Sequence, residues 1–254
     1  MDEPKKDTEN VLLDGCGRVI DYLRISVTDR CNFRCFYCMP GSGVGFIPAR
    51  HILRYEEMLR IADVFIEMGI RKIRITGGEP LVRKNILFLF RELGKRGALS
   101  ELAFTTNGAG LQEHAGPLKQ AGVNRVNVSL DSLDPKTFER ITGLDCHARV
   151  VRGIAASREH GLKVKLNVVA LKGVNDTEFA DFVKFGVDKG VDIRFIEVMP
   201  QVYNTRIAGD LFISSDMVRE KIQKVYSLTP IRGEFSTLRS RTLQAPPCNR
   251  EDAV

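Results

Sequence analysis

Between residues 23 and about 197, short runs of alternating apolar and polar residues repeatedly give way to longer stretches with helical spacing. The strand candidates are Leu23–Thr28, Lys72–Thr76, Glu101–Thr106, Arg125–Leu130, Lys163–Val169 and Asp192–Glu197. Met58, Ile61, Ala62, Phe65, Ile66 and Gly69 fall at helical spacing between the first two, as do Phe179, Phe182, Val183 and Val187 between the last two. Gly69, Gly122, Gly161 and Gly190 each stand where a helix must stop before a strand, the place of a left-handed cap. Ser214–Ser227 carries Met217, Val218, Ile222 and Val225, with Ser214 or Ser215 as a cap, and predicts one more helix. Repeated β-then-α predicts parallel strands joined by crossover helices, hence an α/β barrel or a doubly wound sheet.

The parity within the strands narrows this. One face is apolar: Leu23, Ile25, Val27; Ile73, Ile75; Val126, Val128, Leu130; Val164, Leu166, Val168. The other is polar: Arg24, Ser26, Thr28; Lys72, Arg74, Thr76; Asn127, Ser129, Asp131; Lys163, Lys165, Asn167. Parallel strands covered on both faces read as continuous apolar runs, and closed eight-stranded barrels fill their interiors with branched apolar side chains. Burying unpaired cations is costly, so the second face needs water or a polar ligand. A barrel with a hydrophilic, cation-lined lumen meets that need; a sheet with one bare face gives the same alternation.

Composition changes the picture little. The 254 residues hold 38 Lys+Arg against 32 Asp+Glu, a net charge of +6, which suits an anionic small molecule as well as nucleic acid. No basic arm of the nucleic-acid-binding kind is present, and Pro4-Lys5-Lys6 reads as a solvated terminus. The first residues lack a signal pattern, and no apolar stretch approaches the ~20 residues that span a bilayer. The expectation is a cytoplasmic protein with reduced thiols, no membrane partner and no nucleic-acid partner.

Six cysteines are present, and Cys31, Cys35 and Cys38 lie together as C-x₃-C-x₂-C directly after the first strand. Cys16, Cys146 and Cys248 are isolated and read as plain thiols. Iron–sulfur cubes take cysteine thiolates, usually four. Three clustered ligands without a fourth leave one metal position open, the mark of a reactive site. Structural zinc with a distant fourth ligand such as His51 is the competing reading. The second strand ends in Thr76-Gly77-Gly78-Glu79-Pro80, where the backbone must approach something closely or take unusual angles. Polar endings recur at Thr105-Thr106-Asn107-Gly108, Ser129-Leu130-Asp131 and Arg194-Phe195-Ile196-Glu197, and ligands of α/β folds bind at the carboxyl ends of strands.

These segments resemble a known family. The cysteine spacing, with Tyr37 before the third Cys, is similar to the radical S-adenosylmethionine (SAM) signature. Leu23 to Cys35, Tyr37-Cys38-Met39-Pro40, Lys72 to Leu81, Thr105 to Gly108, Asn127 to Asp131 and Arg194 to Glu197 together resemble the GTP 3′,8-cyclase family of molybdenum cofactor biosynthesis, over residues 11 to about 225. The resemblance implies an incomplete (β/α)₆ TIM-like barrel. Cys31, Cys35 and Cys38 would ligate one [4Fe–4S] cluster, and SAM would chelate its fourth iron. Gly77, Gly78 and Glu79 would receive the methionyl amine, Thr105 and Ser129 would touch SAM, and Tyr37 and Met199 would lie near the adenosine. Arg24, Lys72, Arg74 and Lys165 would contact GTP, with Arg194 catalytic at the reacting centre. The implied reaction is reductive SAM cleavage, hydrogen abstraction from the GTP ribose and ring closure to 3′,8-cyclo-7,8-dihydro-GTP. Such a lyase uses an electron donor, and the family forms homodimers.

The family's second cluster motif is incomplete here. Cys248-Asn249-Arg250 matches part of it, Val254 follows shortly, and the expectation is a single cluster per chain. The expected organisation is an N-terminal extension (1–22), the partial barrel (23–230) and a loose, shortened or divergent tail (231–254). Truncation, a frameshifted tail or a specialised paralogue each account for that tail. The alternatives to GTP cyclisation are a paralogue acting on another anionic substrate and a non-catalytic barrel that binds GTP or a partner.

Overall fold

The computed structural model describes residues 11–39, 45–199, 209–230 and 243–244. Cys248 and most of the expected tail lie outside the described residues. Six strands, β1 (Tyr22–Ser26), β2 (Lys72–Thr76), β3 (Glu101–Thr106), β4 (Arg125–Ser129), β5 (Lys163–Ala170) and β6 (Asp192–Glu197), follow one another in chain order in a single sheet. The pairings β1–β2, β2–β3, β3–β4 and β5–β6 are all parallel, which is the α/β arrangement the alternating pattern predicts. The helices are α1 (Tyr55–Glu67), α2 (Ile86–Gly94), α3 (Leu111–Gln120), α4 (Pro135–Thr142), α5 (His147–Glu159), α6 (Phe179–Lys189) and α7 (Ser215–Gln223). Thr229–Pro230 and Leu243–Gln244 form a separate two-stranded antiparallel pair.

The expected bounds hold at β2, β3 and β6, and the other strands differ by two residues or fewer at an end. The four expected helix-stopping glycines all have positive φ, and Gly190 at φ 57 closes α6 as a left-handed cap. The Ser214 side chain accepts from the Met217 N–H and so caps α7, which stops at Gln223, short of the expected Ser227.

Two compact units divide the chain: residues 1–33, 44–129 and 148–164, and residues 34–43, 130–147 and 165–254. In the first, Ile73, Ile75, Leu102, Phe104, Val126 and Val128 are buried, as are Met58, Ala62, Leu89, Phe90, Leu93, Leu111, Ala115 and Leu118 from the helices. Phe90 meets Phe104 edge-on at 5.2 Å. In the second, Phe195 of β6 packs edge-on against Phe179 and Phe182 of α6 at 5.1 and 6.1 Å, and Ala170, Ile213, Val218 and Ile222 complete that cluster. Burying each large apolar side chain contributes roughly 1.5–3 kcal/mol, so these faces carry most of the stability.

Gly94 ends α2 directly against the backbone between α3 and β4, and a Cβ there would collide with the Ala121 carbonyl oxygen. Neither partner is a flexible side chain, so the collision cannot be relieved by a rotamer change. Gly94→Ala is expected to cost about 1–3 kcal/mol, the range for overpacking. An unchanged urea midpoint for this variant contradicts the packing described.

Candidate active site

Strand register places the polar residues in rows. Across the first four strands Arg24 pairs with Arg74, Arg74 with Ala103 and Ala103 with Arg125. One row nearer the carboxyl ends, Ser26 pairs with Thr76, and Thr105 with Asn127. Side chains in one row of a sheet point to one face, so three guanidinium groups share a level beneath a level of hydroxyl and amide groups. Arg125 is held by Glu101 at 2.7 Å, Lys72 by Asp21 at 2.8 Å, and Arg74 lies over the Tyr22 ring at 5.1 Å. Asn127 is 1% exposed, and both ends of its carboxamide lack a hydrogen-bond partner among the described residues. Leaving such atoms bare costs roughly 1–3 kcal/mol each, so this face suits a polar guest. In the second unit Lys165 pairs in register with Asp192, and Asn167 with Arg194; Lys165 reaches Asp192 at 3.4 Å.

The segment that carries Cys31 follows β1. Gly77 and Gly78, both exposed, lie against it, and a Cβ on either would strike the backbone of Thr28 or of Asp29 and Arg30. The Gly78 N–H donates to the Thr28 carbonyl at 2.6 Å and the Glu79 N–H to the Arg30 carbonyl at 2.7 Å. The close approach expected of the Gly-Gly turn is therefore made, in this structure, to the cysteine segment's own backbone. Arg83 adds a brace, donating to the Val27 and Leu53 carbonyls at 2.5 and 2.7 Å.

Glu79 is 2% exposed, and its oxygens are occupied from within the protein. Oε1 accepts from the Thr106 hydroxyl at 2.7 Å and the Leu81 N–H at 3.0 Å, and Oε2 accepts from the Asn107 N–H at 2.6 Å. Burial pushes its carboxyl above the ordinary range, and those three donors pull the other way. The Asn107 side chain then reaches the cysteine segment: its amide nitrogen lies 2.7 Å from Asn32 Oδ1 and 3.8 Å from Cys31 Sγ.

Cys35 and Cys38 belong to the second unit, where the Cys38 N–H donates to the Cys35 carbonyl at 2.9 Å and closes a tight turn. The Arg34 and Phe36 N–H groups donate to Thr142 and Ile141 at the end of α4, at 2.8 and 3.1 Å. Tyr37 packs with Ile141, Leu171 and Val198, and its hydroxyl donates to Asp131 Oδ2 at 2.6 Å. Asp131 is 3% exposed, and its Oδ1 accepts from the Val169 N–H at 2.8 Å. Burial raises its carboxyl to about 6, against the opposing pull of Tyr37 and Val169.

Cys31, Cys35 and Cys38 are thiols, as are Cys16 and Cys146. Among the described residues, no three His, Cys, Asp or Glu side chains are gathered into a metal-sized cluster. Cysteine sulfur is the donor type that iron–sulfur cubes take, and the sulfur of Cys31 is faced by the Phe33 N–H and the Asn107 amide. Thr105 and Ser129 are half-buried at strand ends, and Met199 is exposed. Asn107, Asp131 and Asn127 are not among the expected site residues, although all three stand in the quoted motifs and Asn127 and Asp131 lie on the expected polar face. Among the described residues no helix is long and apolar enough to cross a membrane.

Comparison with known proteins agrees with this layout. Residues 25–186 match the model of the radical SAM superfamily. A GTP 3′,8-cyclase of Peptoclostridium acidaminophilum is 50% identical over 230 residues, covering 90% of this chain and 70% of the relative. One from Petrotoga mobilis is 46% identical, over 87% of this chain and 68% of its own length. The chain spans about two thirds of such relatives, 64% in the case of one from Rhizobium etli. Among solved structures, Streptococcus suis SuiB bound to S-adenosylmethionine superposes with a TM-score of 0.65 at 18% identity, over 82% of this chain and 48% of that one. The maturase HydG superposes at 0.61, also at 18% identity, over 79% of this chain and 47% of its own. The fold is thus the partial α/β barrel of that superfamily.

Asp131 yields a pH prediction. Its folded value is raised, so its neutral form is favoured by folding; that stabilisation is complete below the ordinary carboxylate value and fades as pH rises through about 6. The rise from the ordinary carboxylate value to about 6 corresponds to roughly 3 kcal/mol. In urea unfolding of the cluster-free chain from pH 4 to 7, the difference between wild type and Asp131→Asn is expected to carry that slope. A pH-independent difference overturns it.

Proposed function

From the membership of this chain in the radical SAM superfamily, and within it in the GTP 3′,8-cyclase family, we propose that it cleaves SAM reductively and cyclises GTP to 3′,8-cyclo-7,8-dihydro-GTP for molybdenum cofactor biosynthesis. Residues 23–230 form the catalytic domain, which acts in the cytoplasm with an external one-electron donor. When bound, a [4Fe–4S] cluster and SAM supply the one-electron chemistry that starts ring closure.

The protein's own part is to hold and orient. Cys31, Cys35 and Cys38 hold the cluster. The exposed Gly77-Gly78 backbone, Thr105 and Ser129 receive SAM, with the Tyr37 ring and Met199 at its adenosine. Glu79, sunk beneath the glycine turn, keeps that turn in place. Arg24, Lys72, Arg74 and Lys165 take the triphosphate, since guanidinium forks match phosphate oxygens in pairs. Arg194 stands at the reacting sugar and base, and the barrel wall keeps out water. The observation that carries this reading is the register of Arg24 with Arg74, one row below Ser26 and Thr76, on the two strands that lead into Cys31 and Gly77-Gly78.

Anaerobic turnover of the reconstituted full chain with SAM, dithionite and GTP tests it directly. The expected products are 5′-deoxyadenosine and a cyclised nucleotide with the mass of GTP. Neither is expected from Cys35→Ser, and release of 5′-deoxyadenosine by that variant refutes the ligand assignment. Arg74→Ala is expected to weaken GTP binding by about 1.5–3 kcal/mol, the loss of a charge-assisted hydrogen bond. Equal affinity removes the triphosphate role from that row.

A further inference from the structure

Asn107 has no part in the reaction outlined above, yet its side chain is held on both ends beside Cys31. It is 8% exposed. Its Oδ1 accepts from the Ala109 N–H at 3.1 Å, so the amide nitrogen must face the other way. There that nitrogen donates to Asn32 Oδ1 at 2.7 Å and to Cys31 Sγ at 3.8 Å. Its backbone N–H is held by the buried Glu79 carboxylate. The Phe33 N–H, at 3.4 Å, is a second donor to the same sulfur. Sulfur is large and diffuse, and a donor at these distances lies within hydrogen-bonding reach of a thiolate.

Hydrogen bonds to the sulfurs of an iron–sulfur cluster are one of the main means by which a protein sets its potential. Reduction adds an electron to a cluster whose charge is already shared with its sulfurs. An N–H dipole aimed at one of those sulfurs therefore favours the reduced state over the oxidised one. We infer that Asn107 is a positioning residue of this kind: its amide donates to the Cys31 sulfur and raises the potential of the bound cluster, making it easier to reduce. This rests on Cys31 being a cluster ligand. Glu79 and Ala109 act one step further back by fixing the orientation of the amide.

Redox titration of the reconstituted full chain with low-potential mediators, followed by visible and EPR spectra, tests the inference. Asn107→Ala removes the donor without adding charge, and Asn107→Ser keeps an acceptor for the Ala109 N–H if the alanine variant fails to take up iron. Either is expected to lower the reduced-to-oxidised ratio at a given potential about tenfold, equivalent to ~59 mV for one electron. Asn107→Asp, nearly the same shape, loses the donor and gains a negative charge, and is expected to fall further. A wild-type potential in the uncharged variants overturns the inference, and so does a shift confined to Asn107→Asp, which would reflect charge alone. Cys31→Ser separates the two layers. If it retains an intact cube, the ligand reading fails; if it loses the cube while the uncharged Asn107 variants titrate like wild type, only the role of Asn107 fails.

Discussion

A carboxyl group taken almost wholly out of water needs hydrogen-bond partners in place of the lost hydration. Glu79 receives them from the Thr106 hydroxyl and from the Asn107 and Leu81 N–H groups. Its side chain thereby ties the end of β2 to the end of β3, while its own N–H ties the same turn to Arg30 in the cysteine segment. Asn107 closes the loop by reaching back to Asn32 and Cys31. Three chain segments far apart in sequence form one hydrogen-bonded body around a single buried carboxyl group. Removing any donor leaves one of its oxygens short of a partner where an unsatisfied polar atom is costly.

The second unit solves a similar problem with a different balance. The segment bearing Cys35 and Cys38 hangs on the end of α4 through two backbone bonds, and Tyr37 inserts into apolar surroundings and ends on Asp131. The Asp131 carbonyl accepts from Asn175, whose amide also reaches the Val169 carbonyl and accepts from the Leu171 N–H. Apart from the Tyr37–Asp131 bond, the side-chain atoms of this network pair with backbone groups of Asp131, Val169 and Leu171. The short cysteine turn is therefore built from shape and hydrogen bonding that the chain supplies on its own.

Much of this is legible in the sequence, and the reasons are local. β2 keeps its expected bounds because a strict period-2 pattern, Lys72-Ile73-Arg74-Ile75-Thr76, lies between Arg71 and Gly77. The polar parity of Arg24, Arg74 and Asn127 survives as register because parallel pairing leaves a side chain no other face. The internal partners of Glu79 are not legible: its oxygens accept from Thr106, Asn107 and Leu81, and the residues at 106 and 107 lie far from it in sequence. The bond from Tyr37 to Asp131 joins residues 94 apart, and no period or cap signal connects them. Such pairings depend on which loops the fold brings together, information that a window of a dozen residues does not contain.

The row made by Arg24, Arg74 and Arg125 also has a cost. Neighbouring strands stand about 4.8 Å apart, so Arg24 and Arg74 repel one another within the ~8 Å screening length of physiological salt, whereas Arg125 stands two strands away from Arg74. Glu101 relieves Arg125, and the ring of Tyr22 shelters Arg74. What remains is a local surplus of positive charge that added electrolyte soothes and that a polyanion soothes better. Dilute buffer thus strains the empty chain while sharpening its hold on anions, and resilience and affinity answer ionic strength with opposite signs.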